Sequence, residues 1–293
     1  MNPFLSFVNG FERLLREGKG FPLGERPPSL HPSVTSGAPR ALIFSPHPDD
    51  ECIIGALPLR LLRQGGYSVS NVAVTQGSNP ARQAARWGEL QQACDYLGYG
   101  LIATSPSGLI NVNAKTRATD PVFWSKSVDV VAKILQETKP SVIFFPHEHD
   151  WNSSHIGTHW LLIDALHQLG PSFQCYAIET EYWGQNAQPN LMVESSNEDV
   201  ADLVTGTSFH VGEVMRNPFH LFLPAWMQDN VRRGSELVGG QGQAAPDFTF
   251  ATLYRLRRWD GTSLKEVQIG GKTLARQTSP ITLFQDLTPT KSS

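Results

Sequence analysis

Residues 41–51 read ALIFSPHPDDE: an apolar run, then a histidine between two prolines, then three consecutive acids. Residues 41–44 predict a short buried strand, 53–62 the helix after the acidic loop, and 69–74 a second strand. A strand, loop, helix, strand order is the unit of a parallel sheet covered by helices, which takes ligands at the carboxyl ends of its strands. A dinucleotide binder would carry G-x-G-x-x-G in this loop so that the backbone could approach a pyrophosphate. Here glycines are absent, and three carboxylates would repel a phosphate. Imidazole and carboxylate suit a divalent cation instead. His47 and Asp50, three residues apart at a strand-to-helix turn, can converge on one point, with Asp49 facing the same cavity. Pro46 and Pro48 restrict the loop and reduce the entropy lost on organising it. The competing explanation is that Asp49 or Asp50 caps the next helix. Three acids and a histidine directly after a buried strand exceed what capping needs.

The same alternation continues outward. Residues 82–97 predict a helix, 101–103 a weak strand, 121–138 a helix, 141–145 a strand and 155–169 a helix. The fold class expected is therefore α/β, a Rossmann-like three-layer α/β/α arrangement with a mostly parallel sheet. Residues 1–40 form a separate lead-in. Phe4, Leu5, Phe7, Val8, Phe11, Leu14 and Leu15 recur at helical spacing and predict a helix that packs as a cover, a membrane or partner role being the alternative. A proline-rich stretch follows it. Residues 41–293 read as a single catalytic domain, least legible from about 181. There 185–194 looks irregular, 211–228 helical and 248–259 a strand, while GGQGQAAPD at 239–247 reads as a mobile loop rather than a phosphate cradle.

Composition narrows the function. The chain has 24 basic and 27 acidic residues among 293, a net charge of -3, without the basic block that nucleic-acid binding needs. No window reaches the roughly 18 apolar residues of a membrane span, and the start lacks a secretory pattern. A cytoplasmic protein with a small-molecule substrate is expected, with neither nucleic acid nor membrane as partner; a homo-oligomer stays open. Cys52, Cys94 and Cys175 are far apart, so neither a disulfide framework nor a thiolate zinc site is expected, and Cys52 reads as a small buried residue rather than a nucleophile. Any metal must be held by histidine and carboxylate.

A second cluster answers the first. PHEHDWNSSHIGTH at 146–159 follows another expected strand and holds four of the nine histidines. His155 and His159 have the i, i+4 spacing that places two imidazoles on one helical face. Loops at the carboxyl ends of two strands in one sheet can meet across its crevice. Two ligands from the first loop and one from the second leave a coordination position open for water.

Together these motifs resemble the LmbE/PIG-L family of zinc-dependent N-acetylglucosaminyl deacetylases. SPHPDDE at 45–51 matches that family's first motif, and Arg86, Glu89, Ala93, Leu97 and Gly98 match its R-x-x-E-x-x-x-A-x-x-x-L-G signature. The resemblance spans roughly 40–170. It implies that His47, Asp50 and His155 bind Zn2+, that Asp49 is the general base and that Arg86 contacts substrate. In the later H-P-D-H type motif Asn152 replaces the first histidine and Ser154 the aspartate. The family histidine is expected to stabilise an oxyanion or assist the leaving amine. His159 is the first substitute expected for it, followed by His149 and His147. Trp151, within this loop, is expected to line the pocket with Asn152, and Tyr182 and Trp183 come next; Trp124, Trp160 and Trp226 could also offer apolar faces to a sugar ring, although most of these aromatic residues read as core. The implied activity is a zinc-dependent hydrolase removing an N-acetyl group from an N-acetylglucosamine-type amino sugar. Its alternatives are a zinc amidase of the same family acting on another amide, and a metal-binding relative without turnover. Two histidines and one carboxylate would also suit Fe(II).

Overall fold

A computed structural model describes residues 2–27, 29–267 and 270–284. Nine strands, β1 (Arg40–Ser45), β2 (Ser68–Ala73), β3 (Gly100–Ala103), β4 (Val142–Pro146), β5 (Cys175–Thr180), β6 (Leu191–Ser195), β7 (Phe250–Trp259), β8 (Leu264–Glu266) and β9 (Lys272–Leu274), form one sheet. Its order is β3-β2-β1-β4-β5-β7-β6-β9, with β8 on β7. The first five strands in that order are parallel, whereas β7 runs antiparallel to both β5 and β6. The helices are α1 (Leu5–Gly18), α2 (Asp50–Ile53), α3 (Leu57–Gly65), α4 (Pro80–Leu97), α5 (Ala114–Thr119), α6 (Pro121–Thr138), α7 (Ser153–Leu169), α8 (Asn197–Ser208), α9 (Val211–Val214) and α10 (Leu223–Leu237).

β1 shows why the layers form. Successive strand residues point to opposite faces, and all four of ALIF are buried. Ala41 and Ile43 join Leu57, Leu61, Leu97 and Leu203 on one face, while Leu42 and Phe44 join Val131, Leu135, Leu161 and Leu162 on the other. Each large apolar side chain taken fully from water contributes about 1.5–3 kcal/mol. From β1 the chain builds outward through β2 to β3, then returns to place β4 and β5 on β1's other side. The β1–β4 gap is the switch point where such sheets open a crevice.

The expected α/β architecture is present, with local departures. The helix expected over 53–62 breaks at Gly55, whose φ of +89° and close approach to Thr252 of β7 leave no room for a Cβ. The irregular stretch expected at 185–194 contains the buried strand β6, and 197–208 is a helix capped by Ser196, whose side chain accepts the Asp199 N–H. The expected helix over 211–228 is instead α9, a 3-10 turn at Phe219–Phe222 and the start of α10, because Pro218 and Pro224 each begin a new element. α1 forms, but it does not cover the body. Phe4 is 69% exposed and Phe7 64%, and the helix buries only Gly18, against Leu221. Among the described residues no helix is long and apolar enough to cross a membrane.

Candidate metal centre and active site

The loop after β1 turns directly into α2, and its geometry is unusual at Asp49. This residue has φ +113°, a left-handed value that costs a side-chain-bearing residue of order 1–3 kcal/mol. Glu51 holds it there. One Glu51 oxygen accepts the Asp49 N–H at 3.0 Å, while the other takes the His210 Nε2 proton at 2.6 Å and the Cys52 thiol at 3.1 Å. Glu51, Cys52 and His210 are fully buried. They could themselves be taken for a metal cluster, but burial pushes the Cys52 thiol far up and keeps it protonated. Glu51 already accepts from the other two, and the three form a buttress.

The same turn presents His47 and Asp50 to α7. His47 Nδ1 lies 3.3 Å from His155 Nε2, and Asp50 Oδ2 lies 3.4 Å from the former and 3.3 Å from the latter. Two ring nitrogens and a carboxylate oxygen thus form a triangle between two loops that are 108 residues apart. Asp50 Oδ2 also accepts the His47 N–H at 2.8 Å, and Asp50 Oδ1 is buried without a hydrogen-bond partner among the described residues. Asp150 stands behind the His155 ring. Its Oδ2 lies 3.4 Å from His155 Nδ1, and the N–H groups of Asn152 and Gly184 fix its carboxylate at 2.9 and 3.2 Å. A carboxylate behind a histidine is the usual way to set the ring of a metal ligand.

Charge follows from this geometry. Burial alone would lower the His155 pKa, but Asp50 and Asp150 raise it to about 10. Burial would raise Asp50, yet His155 and His47 hold it well below the ordinary carboxylate range. The triangle is therefore built for positive charge, and its donor set of two imidazoles, one carboxylate and an orphaned buried oxygen fits a divalent transition metal. Asp49 behaves oppositely. Burial and the neighbouring Asp50 raise its pKa well above the ordinary value, which makes it a stronger base.

His47 and Asp49 open onto a cleft in two lobes of about 380 and 550 Å³, with Arg86 lining both. Arg86 donates to the Pro48 carbonyl at 2.8 Å and stands 3.9 Å from Asp49 Oδ2 and 3.8 Å from Glu213 Oε1. Trp151 and Asn152 line the first lobe. The Asn152 side chain is also occupied as the α7 cap, accepting the Ser154 N–H at 2.9 Å.

The expected substitutes for the missing family histidine stand elsewhere. His159 is one turn further into α7, 2% exposed, and outside both lobes. Its Nδ1–H donates to the Pro146 carbonyl at 2.9 Å, and burial lowers its pKa to about 4. Helical spacing shares a face with His155, but one turn moves the ring about 5 Å along the axis and under the loop. His149 is exposed beside Glu148, and His147 turns its Nε2–H to the Gly184 carbonyl at 2.8 Å, so neither lines the cleft. The cationic groups that do line it are Arg86 and Arg216. Sequence reasoning missed Asp150, His210, Glu213 and Arg216. Asp150 lies inside the quoted motif, while the other three have no local pattern around them.

Residues 42–166 match the family model described as PIG-L, GlcNAc-PI de-N-acetylase. The matched segment runs from within β1 into α7 and holds His47, Asp49, Asp50, Arg86 and His155. The fold is shared with a conserved protein of Thermus thermophilus, at 16% identity and TM-score 0.54, over 78% of this chain and 96% of that one. It is also shared with the N,N'-diacetylchitobiose deacetylase of Pyrococcus horikoshii, at 17% and 0.53, over 87% and 94%. The 4-carboxy-2-hydroxymuconate hydratase of Pseudomonas putida aligns at 14% and 0.50, over 74% and 95%. No curated protein matches the chain.

Proposed function

We propose that the chain is a metal-dependent hydrolase that removes an N-acetyl group from an N-acetylglucosamine-type amino sugar. The observation that carries this reading is the His47–Asp50–His155 triangle with the basic, buried Asp49 beside it at the switch point of the sheet. The family match supports the reaction. The fold alone would not, since it also carries a hydratase.

His47, Asp50 and His155 would hold zinc, which when bound acts as a Lewis acid and lowers the pKa of water to about 7. Asp49 takes a proton from the attacking water and passes it to the amine nitrogen as the C–N bond breaks. Its left-handed backbone, clamped by Glu51, keeps the carboxyl at the cleft without making it a ligand. Arg86 is the fixed cation nearest Asp49, suited to the polar groups of the sugar or to charge developing on the acyl oxygen. Asp150 keeps the His155 ring in place.

The test is acetate release from a panel of N-acetylglucosamine derivatives, with zinc, with chelator and with Asp49→Ala. Release that needs both metal and Asp49 is expected. Silence across the panel from protein carrying one metal per chain would overturn the assignment, and metal analysis of the purified protein separates zinc from iron.

A further inference from the structure

Beside the polar cleft lies a second cavity of about 250 Å³, between the loop after β5 and the turn that enters α10. Ile53, Trp183, Phe219, Phe222, Leu223 and Trp226 make its wall. Trp183 and Phe219, packed edge-on with ring centres 5.5 Å apart, also line the lobe that holds His47, Asp49 and Arg86, so the two spaces share a partition. Tyr182 closes the inner side and sets its ring edge-on to His155 at 4.9 Å. Only one lining residue is charged. Glu181 is almost fully buried, and the paired nitrogens of Arg233 at 2.8 and 3.0 Å and the Asn186 N–H at 2.8 Å already occupy its oxygens. At the mouth Trp183 and Phe222 remain 40% and 50% exposed.

A bare sugar is a poor occupant of such a slot. Apart from the Gln185 amide and the Tyr182 hydroxyl the lining offers its hydroxyls no free polar side chain, and each hydroxyl left unpaired there costs of order 1–3 kcal/mol. The polar lobe, with Asp49, Arg86, Asn152, Glu213 and Arg216, offers those partners instead. We propose that the slot binds an apolar substituent of the substrate, about the size of an aryl ring or short alkyl chain. The substrate is then an amphiphilic glycoside or conjugate, its amino sugar in the polar lobe and its apolar group between Trp183, Phe222 and Trp226. This inference rests on the deacetylase reading for its chemistry, though not for its geometry.

Benzyl and methyl β-glycosides of N-acetylglucosamine test it. The benzyl glycoside should show a kcat/KM at least about tenfold higher, chiefly through KM. Phe222→Ser, a change at an exposed position, and Trp226→Ala should both bring that ratio toward one. Equal rates in the wild type, or a preference that survives both substitutions, would overturn the slot and leave deacetylation standing. If neither glycoside releases acetate, the deacetylase reading fails by itself. The slot is then decided by benzyl β-glucoside, which has no acetamide, titrated against the tryptophan fluorescence of the protein. A saturable change weakened by Phe222→Ser supports it, and an unchanged signal rejects it.

Discussion

The cleft has two walls that are held in different ways. On the β1 and β4 side, the loops are fixed by hydrogen bonds only two or three residues long, His47 N–H to Asp50 and Asn152 N–H to Asp150. On the side supplied beyond residue 180, His210 reaches Glu51 across 159 positions and Glu213 reaches Arg82 across 131. The first wall is thus a pair of local motifs that the parallel sheet brings together. The second is carried by α9 and the turns around it, beyond α8, which packs on α2 and α4. Chemistry should concentrate on the local wall, with alignment and substrate choice on the distant one.

The largest effect belongs to Asp50→Ala. It removes the oxygen shared by both imidazoles, so metal content by elemental analysis should fall to background and kcat/KM by about 10³-fold or more, as loss of several kcal/mol of charge stabilisation requires. Full metal retention would break the contrast at its root. Next comes Asp49→Asn, which should lower kcat by roughly 10²–10⁴-fold while the metal stays bound. A variant that folds but loses its metal would move Asp49 into the ligand set and end the division of labour between the two acids.

His210→Gln probes the far wall. It acts as a positioning residue, through Glu51, on the strained backbone of Asp49. Relaxation of that strain should cost up to about tenfold in kcat, with metal content and KM little changed. His210→Asn, whose amide falls short of Glu51, should be worse than the glutamine variant. A loss expressed wholly in KM would mean that the far wall serves substrate binding alone.

This contrast also explains what could be read from the chain. ALIFSPHPDDE announces a buried strand and a candidate metal loop because its period and its chemistry lie within eleven adjacent residues. β6 is only five residues long, LMVES, too short for a period to emerge. β7 lies between two strands, yet Arg255, Arg257 and Arg258 make it read as half-exposed; their partners Glu266, Glu179 and Gln174 come from three other places. His210 and Glu213 lie outside any motif. α1 is readable as a helix from its stripe, but a stripe does not say whether another surface meets it, and here Phe4 and Phe7 face solvent. His159 is misplaced for a related reason, since periodicity gives a helical face without giving the neighbours of that face.

The smallest effect on activity should come from His159, and it carries a signature of its own. Its ring is buried among Phe145, Trp160, Glu179 of β5 and the Pro146 carbonyl, with Arg257 of β7 and His147 and His149 as the charges around it. Burial lowers the folded pKa to about 4, against an ordinary value of 6.5. As the pH falls below about 6.5 the unfolded chain takes a proton that the folded chain refuses until about 4, so the unfolded state binds more protons in that window and stability declines across it. Below about 4 both states are protonated and the contribution of His159 levels off. Denaturant unfolding at pH 7 and pH 4.5 should therefore show a smaller loss for His159→Gln than for the wild type, by about 2–3 kcal/mol if the whole shift is realised. The same variant should still release acetate. Loss of turnover together with an unchanged pH dependence of stability would return His159 to the cleft, and with it the histidine that the altered second motif lacks.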